Sequence, residues 1–323
     1  MAPSLVSPTK PAVFAKGKFH NQQAQQSKSL WEYLKMTRKH PFSQWPAWVE
    51  NEYTAQPIER VNDGSLQVTV IGHSTVLIQT AGYNILTDPV YGMRASPVNF
   101  AGPKRVRAPA IRFEDLPPID VVAISHDHYD HLDSSTVQAL VKRDNPAIFV
   151  GLGVAKRMPY SERVTELDWW EASRVSDQFN VYFVPTQHFS GRGLFDRDTT
   201  LWGGFVLEVS GRKVYFGGDT GYADHFQQTY AQFGAMDIAL IPIGAYEPRE
   251  FMGPVHMDPQ EAVQAHLDLH AKRSIGVHYA TFQMTSEPIH EPVKLLEAAR
   301  AKAGLSAEDF MALPFGQTLI VDD

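Results

Sequence analysis

The segment that most restricts this chain is His126-Asp127-His128-Tyr129-Asp130-His131, which follows directly on the uninterrupted apolar run Val121-Val122-Ala123-Ile124. A short apolar run without polar alternation suits a β-strand covered on both faces, so the histidines fall at the C-terminal edge of a buried strand. Alternate residues of an extended segment point the same way. His126 and His128 can therefore grip one ion from one side, while Asp130 and His131 turn with the loop toward a second. A lone histidine is most often a core or surface residue with a satisfied hydrogen bond; this density of donors at a strand end points to a metal centre instead. Asp133 or Ser134 can then cap a helix carrying Val137, Leu140 and Val141 on one face, which gives a strand, loop, helix unit.

Four ligands do not complete two metal sites, and further donors recur where other strands should end. His188 follows Val181 to Val184, Asp219 closes Phe216-Gly217-Gly218-Asp219, and His278 follows Ser274 to Val277. Glycines before Asp219 allow close backbone approach, and a carboxylate can bridge two ions through its two oxygens. The chain has no cysteine, so nitrogen and oxygen must hold any metal, and no disulfide framework exists. Such ligands suit zinc but also iron, manganese or cobalt.

The strands fall into two series. Leu66 to Ile71, Val76 to Thr80 and Tyr83 to Leu86 read as a meander turning at Ala81-Gly82, ahead of Val121 to Ile124; the second series begins near Asn180 and adds Phe205 to Val209, Val214 to Phe216 and Ile238 to Ile243. Asp258-Pro259-Gln260-Glu261 combines an N-cap acid, a first-turn proline and a third-position glutamate, so a helix should run to about His270. Two strand series with covering helices imply an α/β fold, a four-layer αββα sandwich. No linker separates the halves, so 66–323 reads as one domain. Residues 1–65 read as an N-terminal extension, flexible around Gln22, Gln23, Gln25 and Gln26, with a short helix from Leu30 to Arg38; Trp31, Trp45 and Trp48 are expected to cap the core, the alternative being contact with lipid.

A formal charge of -7 supplies no general basic field for a polyanion, and nucleic acid is excluded as the default partner; Lys104, Arg105 and Arg107 make only one short basic patch. No apolar stretch approaches the roughly 18 residues of a membrane-spanning helix, and the start of the chain lacks the apolar core of a secretory signal. A cytoplasmic protein is expected, with peripheral membrane contact left open.

The complete His-x-His-x-Asp-His pattern of His126 to His131 resembles the metallo-β-lactamase superfamily. Within it the chain is similar to the N-acyl-phosphatidylethanolamine-hydrolysing phospholipase D family, from about Leu66 to the C-terminus. The matching words are Gly72-His73-Ser74-Thr75-Val76, Leu86-Thr87-Asp88-Pro89, Gly102-Pro103-Lys104-Arg105, Leu116-Pro117-Pro118-Ile119-Asp120, Glu166-Leu167-Asp168-Trp169-Trp170-Glu171, Gly218-Asp219-Thr220-Gly221-Tyr222 and Ile243-Gly244-Ala245-Tyr246-Glu247-Pro248-Arg249. Phe189 stands where mammalian members carry tryptophan, and Asn99-Phe100 where they carry Gln-Tyr.

The resemblance implies two zinc ions, one held by His126, His128 and His188 and the other by Asp130, His131 and His278, with Asp219 bridging them. Asp130 and Asp219 are then the catalytic carboxylates, and Tyr129 and His256 lie against substrate. Two dications less two ligand carboxylates and a bound hydroxide leave about one net positive charge, which suits an anionic phosphodiester. The implied reaction is hydrolysis of N-acyl-phosphatidylethanolamine or a related phospholipid to phosphatidate and N-acyl-ethanolamine, with water activated by the metals. The family also implies a homodimer. Hydrolysis of a lactone or soluble phosphodiester on the same ligands is the alternative, because a fold does not fix a substrate. A non-catalytic binding protein stabilised by its metals is the second.

Overall fold

In the computed structural model, which describes residues 9–24, 32, 35 and 38–322, the two strand series become two sheets of seven strands each among these residues. A small hairpin, β1 (Val13–Ala15) and β2 (Lys18–His20), precedes them. The first sheet holds β3 (Leu66–Gly72), β4 (Thr75–Thr80), β5 (Tyr83–Thr87), β6 (Val121–Ile124), β7 (Ala147–Gly151) and β8 (Val164–Leu167). The second holds β9 (Ala172–Ser176), β10 (Phe179–Val184), β11 (Gly204–Val209), β12 (Arg212–Phe216), β13 (Ile238–Pro242), β14 (Arg273–Val277) and β15 (Phe310–Met311). The last strand, β16 (Thr318–Val321), returns to the first sheet and pairs antiparallel with β3, so the chain closes across both halves.

Each sheet is antiparallel on one side and parallel on the other. In the first, β5, β6, β7 and β8 run parallel; in the second, β12, β13, β14 and β15 do. Parallel strands need covering layers on both faces. In β6 this is visible residue by residue: Val121 and Ala123 enter the main core shared with the second sheet, whereas Val122 and Ile124 join Val137 and Leu140 of the helix α1 (Ser134–Arg143). Burying each of these valine, leucine and isoleucine side chains contributes about 1.5–3 kcal/mol. Asp133 caps α1 by accepting from the amides of Ser135 and Thr136.

On the second sheet lie α2 (His225–Phe233), the short α3 (Arg249–Met252), α4 (Pro259–Asp268) and α5 (Glu291–Lys302). Helix α4 packs on β13 and against α2 and α5. It begins with the expected capping box: the Asp258 side chain accepts from the amides of Gln260 and Glu261, and Glu261 accepts from the Asp258 amide. The αββα sandwich is therefore as expected. Strands β7, β8, β9, β15 and β16 were not expected from the sequence: β8 and β9 are sheet edges whose residues are largely half-exposed and carry no apolar run, whereas β7 is a buried apolar run that was passed over.

Trp45 packs against the main core and donates its indole N–H to the Glu287 carbonyl, as a capping residue should. Trp48 remains exposed, and Trp31 lies outside the described residues, as do Gln25, Gln26 and most of Leu30 to Arg38. The short basic patch does not form a surface. Arg105 and Arg107 are buried: Arg105 donates to the carbonyls of Gly92 and Val90, and Arg107 to that of Ala280. Their guanidinium groups also lie over the rings of Phe282 and Phe315. Satisfied by loop carbonyls, these charges hold loops together and offer nothing to a polyanion.

Candidate metal centre

The ends of four strands, and the turn of a hairpin, converge at one place between the sheets. Strand β6 delivers His126, and α1 follows the loop that carries His128, Asp130 and His131. Two glycines after β12 deliver Asp219. A Cβ on Gly218, whose φ is +54°, would lie 2.5 Å from the Ser125 Cβ, so only glycine lets the two sheet ends meet this closely. His278 follows β14, and His188 lies four positions beyond the end of β10.

Three overlapping groups of ligand atoms result, each with its atoms within 4.8 Å of one another: His126, His128, His188 and Asp219; His73, Asp130, His131 and His278; and Asp219, His256 and His278. Within the first, His126 Nε2 lies 2.7 Å from His128 Nδ1, and His188 Nε2 lies 3.3 Å from the same atom. In the second, Asp130 Oδ2 is 3.3 Å from both His131 Nε2 and His278 Nε2. Asp219 faces both. Its Oδ2 is 3.1, 3.7 and 3.9 Å from the Nε2 atoms of His131, His188 and His126, while Oδ1 is 3.1 Å from His278 Nε2. All seven ligand candidates named from sequence are thus brought together. The Nε2 of His256 stands 4.0 Å from Asp219 Oδ2; because Asp258 performs the capping, the His256 side chain is left to face the cluster. Tyr129 lies outside these groups, half-buried, with the Arg192 guanidinium 3.8 Å above its ring and the Val90, Ala95 and Phe282 cluster beside it.

The rear nitrogens of three imidazoles are fixed by hydrogen bonds that leave Nε2 facing the cluster. His126 Nδ1 donates to Ser125 Oγ at 2.9 Å, which in turn donates to Asp88; His131 Nδ1 donates to Asp88 Oδ2 at 2.6 Å; His188 Nδ1 donates to the Val255 carbonyl at 3.0 Å. Partners of this kind set the tautomer and aim of a metal-ligating histidine. Asp88 is completely buried and also accepts from the Ser125 amide. His73, with φ of +54°, donates from Nε2 to Asp130 at 3.0 Å, and its ring lies 4.0 Å from that of His278, tilted by 43°. Sequence reasoning passed over both residues. Their words stood among the matched motifs, but nothing local gave His73 or Asp88 a role.

Burying three aspartates beside these histidines calls for compensating positive charge. Burial by itself would lower the His131 pKa, yet Asp219, Asp130 and Asp88 hold it well above the ordinary value, and Asp219 and Asp130 likewise raise His278 to about 9 against its burial. His126 and His188, desolvated and beside other imidazoles, stay well below the ordinary value. Burial lowers His256 to about 4 and His73 to about 3. Meanwhile His131 Nε2 and Asp219 Oδ1 are buried without a hydrogen-bond partner. Stranded polar atoms aimed at a common point, flanked by neutral imidazoles and carboxylates, fit divalent cations of the zinc type.

The family model for the β-lactamase superfamily domain matches residues 83–279. The N-acyl-phosphatidylethanolamine-hydrolyzing phospholipase D 1 of Caenorhabditis elegans is 41% identical over 79% of this chain and 76% of its own length. The mitochondrial N-acyl-phosphatidylethanolamine-hydrolyzing phospholipase D of Saccharomyces cerevisiae is 34% identical over 73% of this chain, which spans about half (53%) of that protein. Among solved structures, an isothiocyanate hydrolase from Delia radicum gut bacteria superposes with a TM-score of 0.62 at 21% identity, covering 78% of this chain and 98% of that one. A metallo hydrolase from Ignicoccus hospitalis gives 0.59 at 21%, covering 80% and 99%. With the fold, the clustered donors and these relatives agreeing, the chain belongs to the metallo-β-lactamase superfamily as a metallo-hydrolase related to the N-acyl-phosphatidylethanolamine-hydrolysing phospholipases D.

Proposed function

We propose that this protein is a two-zinc phosphodiesterase of the phospholipase D type, acting on N-acyl-phosphatidylethanolamine or a related phospholipid. The observation that carries the reading is the Asp219 carboxylate, which turns one oxygen toward His278 and the other toward His131, His188 and His126. In this reading His126, His128 and His188 hold one ion, Asp130, His131 and His278 the other, and Asp219 spans both. Two dications there would lower the pKa of a shared water toward neutrality and offset charge on the phosphoryl oxygens.

The chain's own groups do the positioning. Asp88, Ser125 and the Val255 carbonyl hold imidazoles in place, and His256, kept neutral by burial, presents Nε2 to the phosphate. Tyr129, between the Arg192 guanidinium and the apolar Phe282 cluster, would lie against the substrate. Water adds to phosphorus, the bond to the ethanolamine oxygen breaks, and that oxygen leaves protonated as N-acyl-ethanolamine, with phosphatidate as the second product.

A lipid substrate requires contact with a lipid surface. The loop after Phe189 exposes Leu194 and Phe195 at 91% and 95%, and Phe100 is 79% exposed on the loop beside Arg94. The base of the first loop is tied to the histidine loop: the Gly191 amide donates to Asp127, and Arg192 donates to the carbonyls of Asp127 and Leu132. These tips are the proposed peripheral membrane contact.

The test is turnover of N-acyl-phosphatidylethanolamine in mixed micelles by protein of known metal content, beside bis(p-nitrophenyl) phosphate. Release of phosphatidate that a chelator abolishes is the expected result. Cleavage of the soluble diester alone would discard the lipid assignment, and inactivity on both with two metals bound would discard the phosphodiesterase.

A further inference from the structure

We propose that Asn21, from the segment ahead of the main domain, is a positioning residue for His188; the proposal rests on His188 being a metal ligand. The other candidate ligands follow strands directly or lie on the loop that leads into the capped helix α1, but His188 lies beyond the ladder. Strand β10 ends at Val184, and the last sheet-like contact is made by Gln187, whose amide donates to Thr220 Oγ1 and whose carbonyl accepts from the Gly221 amide. At His188 the backbone turns to Asn21 instead. Asn21 Nδ2 donates to the His188 carbonyl at 2.7 Å, and the His188 amide donates to Asn21 Oδ1 at 3.1 Å, across 167 positions of sequence. A carboxamide presents donor and acceptor side by side in one plane, which matches a residue whose own N–H and C=O both lie beyond the ladder. It acts here as a one-residue strand.

Asn21 is itself held. Trp202, 1% exposed, shares its indole N–H between the same Oδ1 and the Thr186 carbonyl, each at 3.1 Å. Just before it, Phe19 of β2 is buried and its amide donates to the Asp198 carbonyl; just after it, the Gln23 carbonyl accepts from Gln187 Nε2. At the hairpin's far end the Ala12 amide donates to Asp168. The hairpin is thus a clasp closed on the ligand loop, and its reach into the centre is the Asn21 amide. Together with the Val255 carbonyl behind the ring, Asn21 fixes His188 at both backbone and imidazole.

The role can be read from metal retention, without turnover. The full-length protein, loaded with two equivalents of cobalt(II), is challenged with a chromophoric chelator and followed by its visible absorption. Asn21→Ala is expected to release one of the two ions about 10- to 100-fold faster, the usual cost of losing a supporting partner, and to shift the cobalt bands. Val13→Thr, an exposed change in the same hairpin, should release both ions at the wild-type rate. Wild-type release and spectrum in Asn21→Ala, while His188→Ala loses one ion, would overturn the proposal and leave His188 a ligand. Two retained ions and an unchanged spectrum in His188→Ala would remove the ligand reading and the proposal with it. Should Asn21→Ala fail to fold, Asn21→Asp keeps an acceptor for the His188 amide but removes the donor to its carbonyl, and unchanged release in that variant overturns the proposal equally.

Discussion

The two halves of the metal centre are built differently. The group of Asp130, His131 and His278, with His73 behind it, is buried throughout and knitted from both sheets: the His278 amide donates to the His73 carbonyl, the His73 amide to Thr281 Oγ1, and His131 to Asp88. The group of His126, His128 and His188 includes a half-buried histidine and depends on loops, with Phe189 packed on the His128 ring at 4.6 Å and Arg197 over Phe189 at 3.9 Å. Charge divides the same way. Carboxylates raise His131 and His278, whereas burial keeps His126 and His188 neutral. A fully buried, charge-dense half thus sits beside a less buried one nearer the loop of Leu194 and Phe195.

Asp219 joins the halves, so its loss should erase the distinction. Asp219→Asn, measured as kcat on a diester substrate together with metal content, should lower the rate by about 10³-fold; undiminished activity would show that neither half needs a shared carboxylate. Asp88→Ala should act mainly on the fully buried half. It frees the His131 ring to rotate and should weaken binding of one ion by about 10- to 100-fold, read by titration against a competing chelator, and weaken the other less, because His126 feels Asp88 only through Ser125. Equal weakening of both would mean that the halves do not act separately.

The loop carrying the first group's neighbours should matter only at a lipid surface. Replacing Leu194 and Phe195 by serine should lower turnover on vesicles about tenfold, through lost apolar insertion, while hydrolysis of bis(p-nitrophenyl) phosphate changes little. An equal fall on both substrates would place the loop in the chemistry instead. The smallest effect concerns protons. His278, with a metal-free pKa near 9, and His131, also raised, must each lose a proton to bind an ion, whereas His126 and His188 are already neutral. Metal uptake in unbuffered solution near pH 7.5 should therefore release protons with one ion and few with the other. A group whose folded pKa is raised stabilises the fold fully below its unfolded value and less as pH passes the folded one. The metal-free protein should accordingly melt at progressively lower temperature as pH rises from 6.5 through 9. A flat profile would contradict the charge asymmetry.

Much of this was written locally. The apolar run of β6 and the histidines after it, the Asp258 capping box and the glycines before Asp219 are each decided by neighbours a few positions away, through strand periodicity, orphan amides and backbone freedom. These features determined the αββα sandwich and gathered all seven ligand candidates. The supporting partners were not legible in this way. That His73 backs Asp130, that Asp88 aims His131, and that Arg105 and Arg107 are buried loop ties follows from contacts between distant segments, where packing leaves each buried polar group a single partner. Residues ahead of Leu66 read as an appendage, because a hairpin of six strand residues has little apolar signal. What the sequence determined was which atoms can hold a metal, since donor chemistry belongs to the residue. Which side chains hold those atoms in place was decided only by the tertiary structure, because a hydrogen bond such as that of Asn21 to His188 exists only once the sheets have brought its ends together.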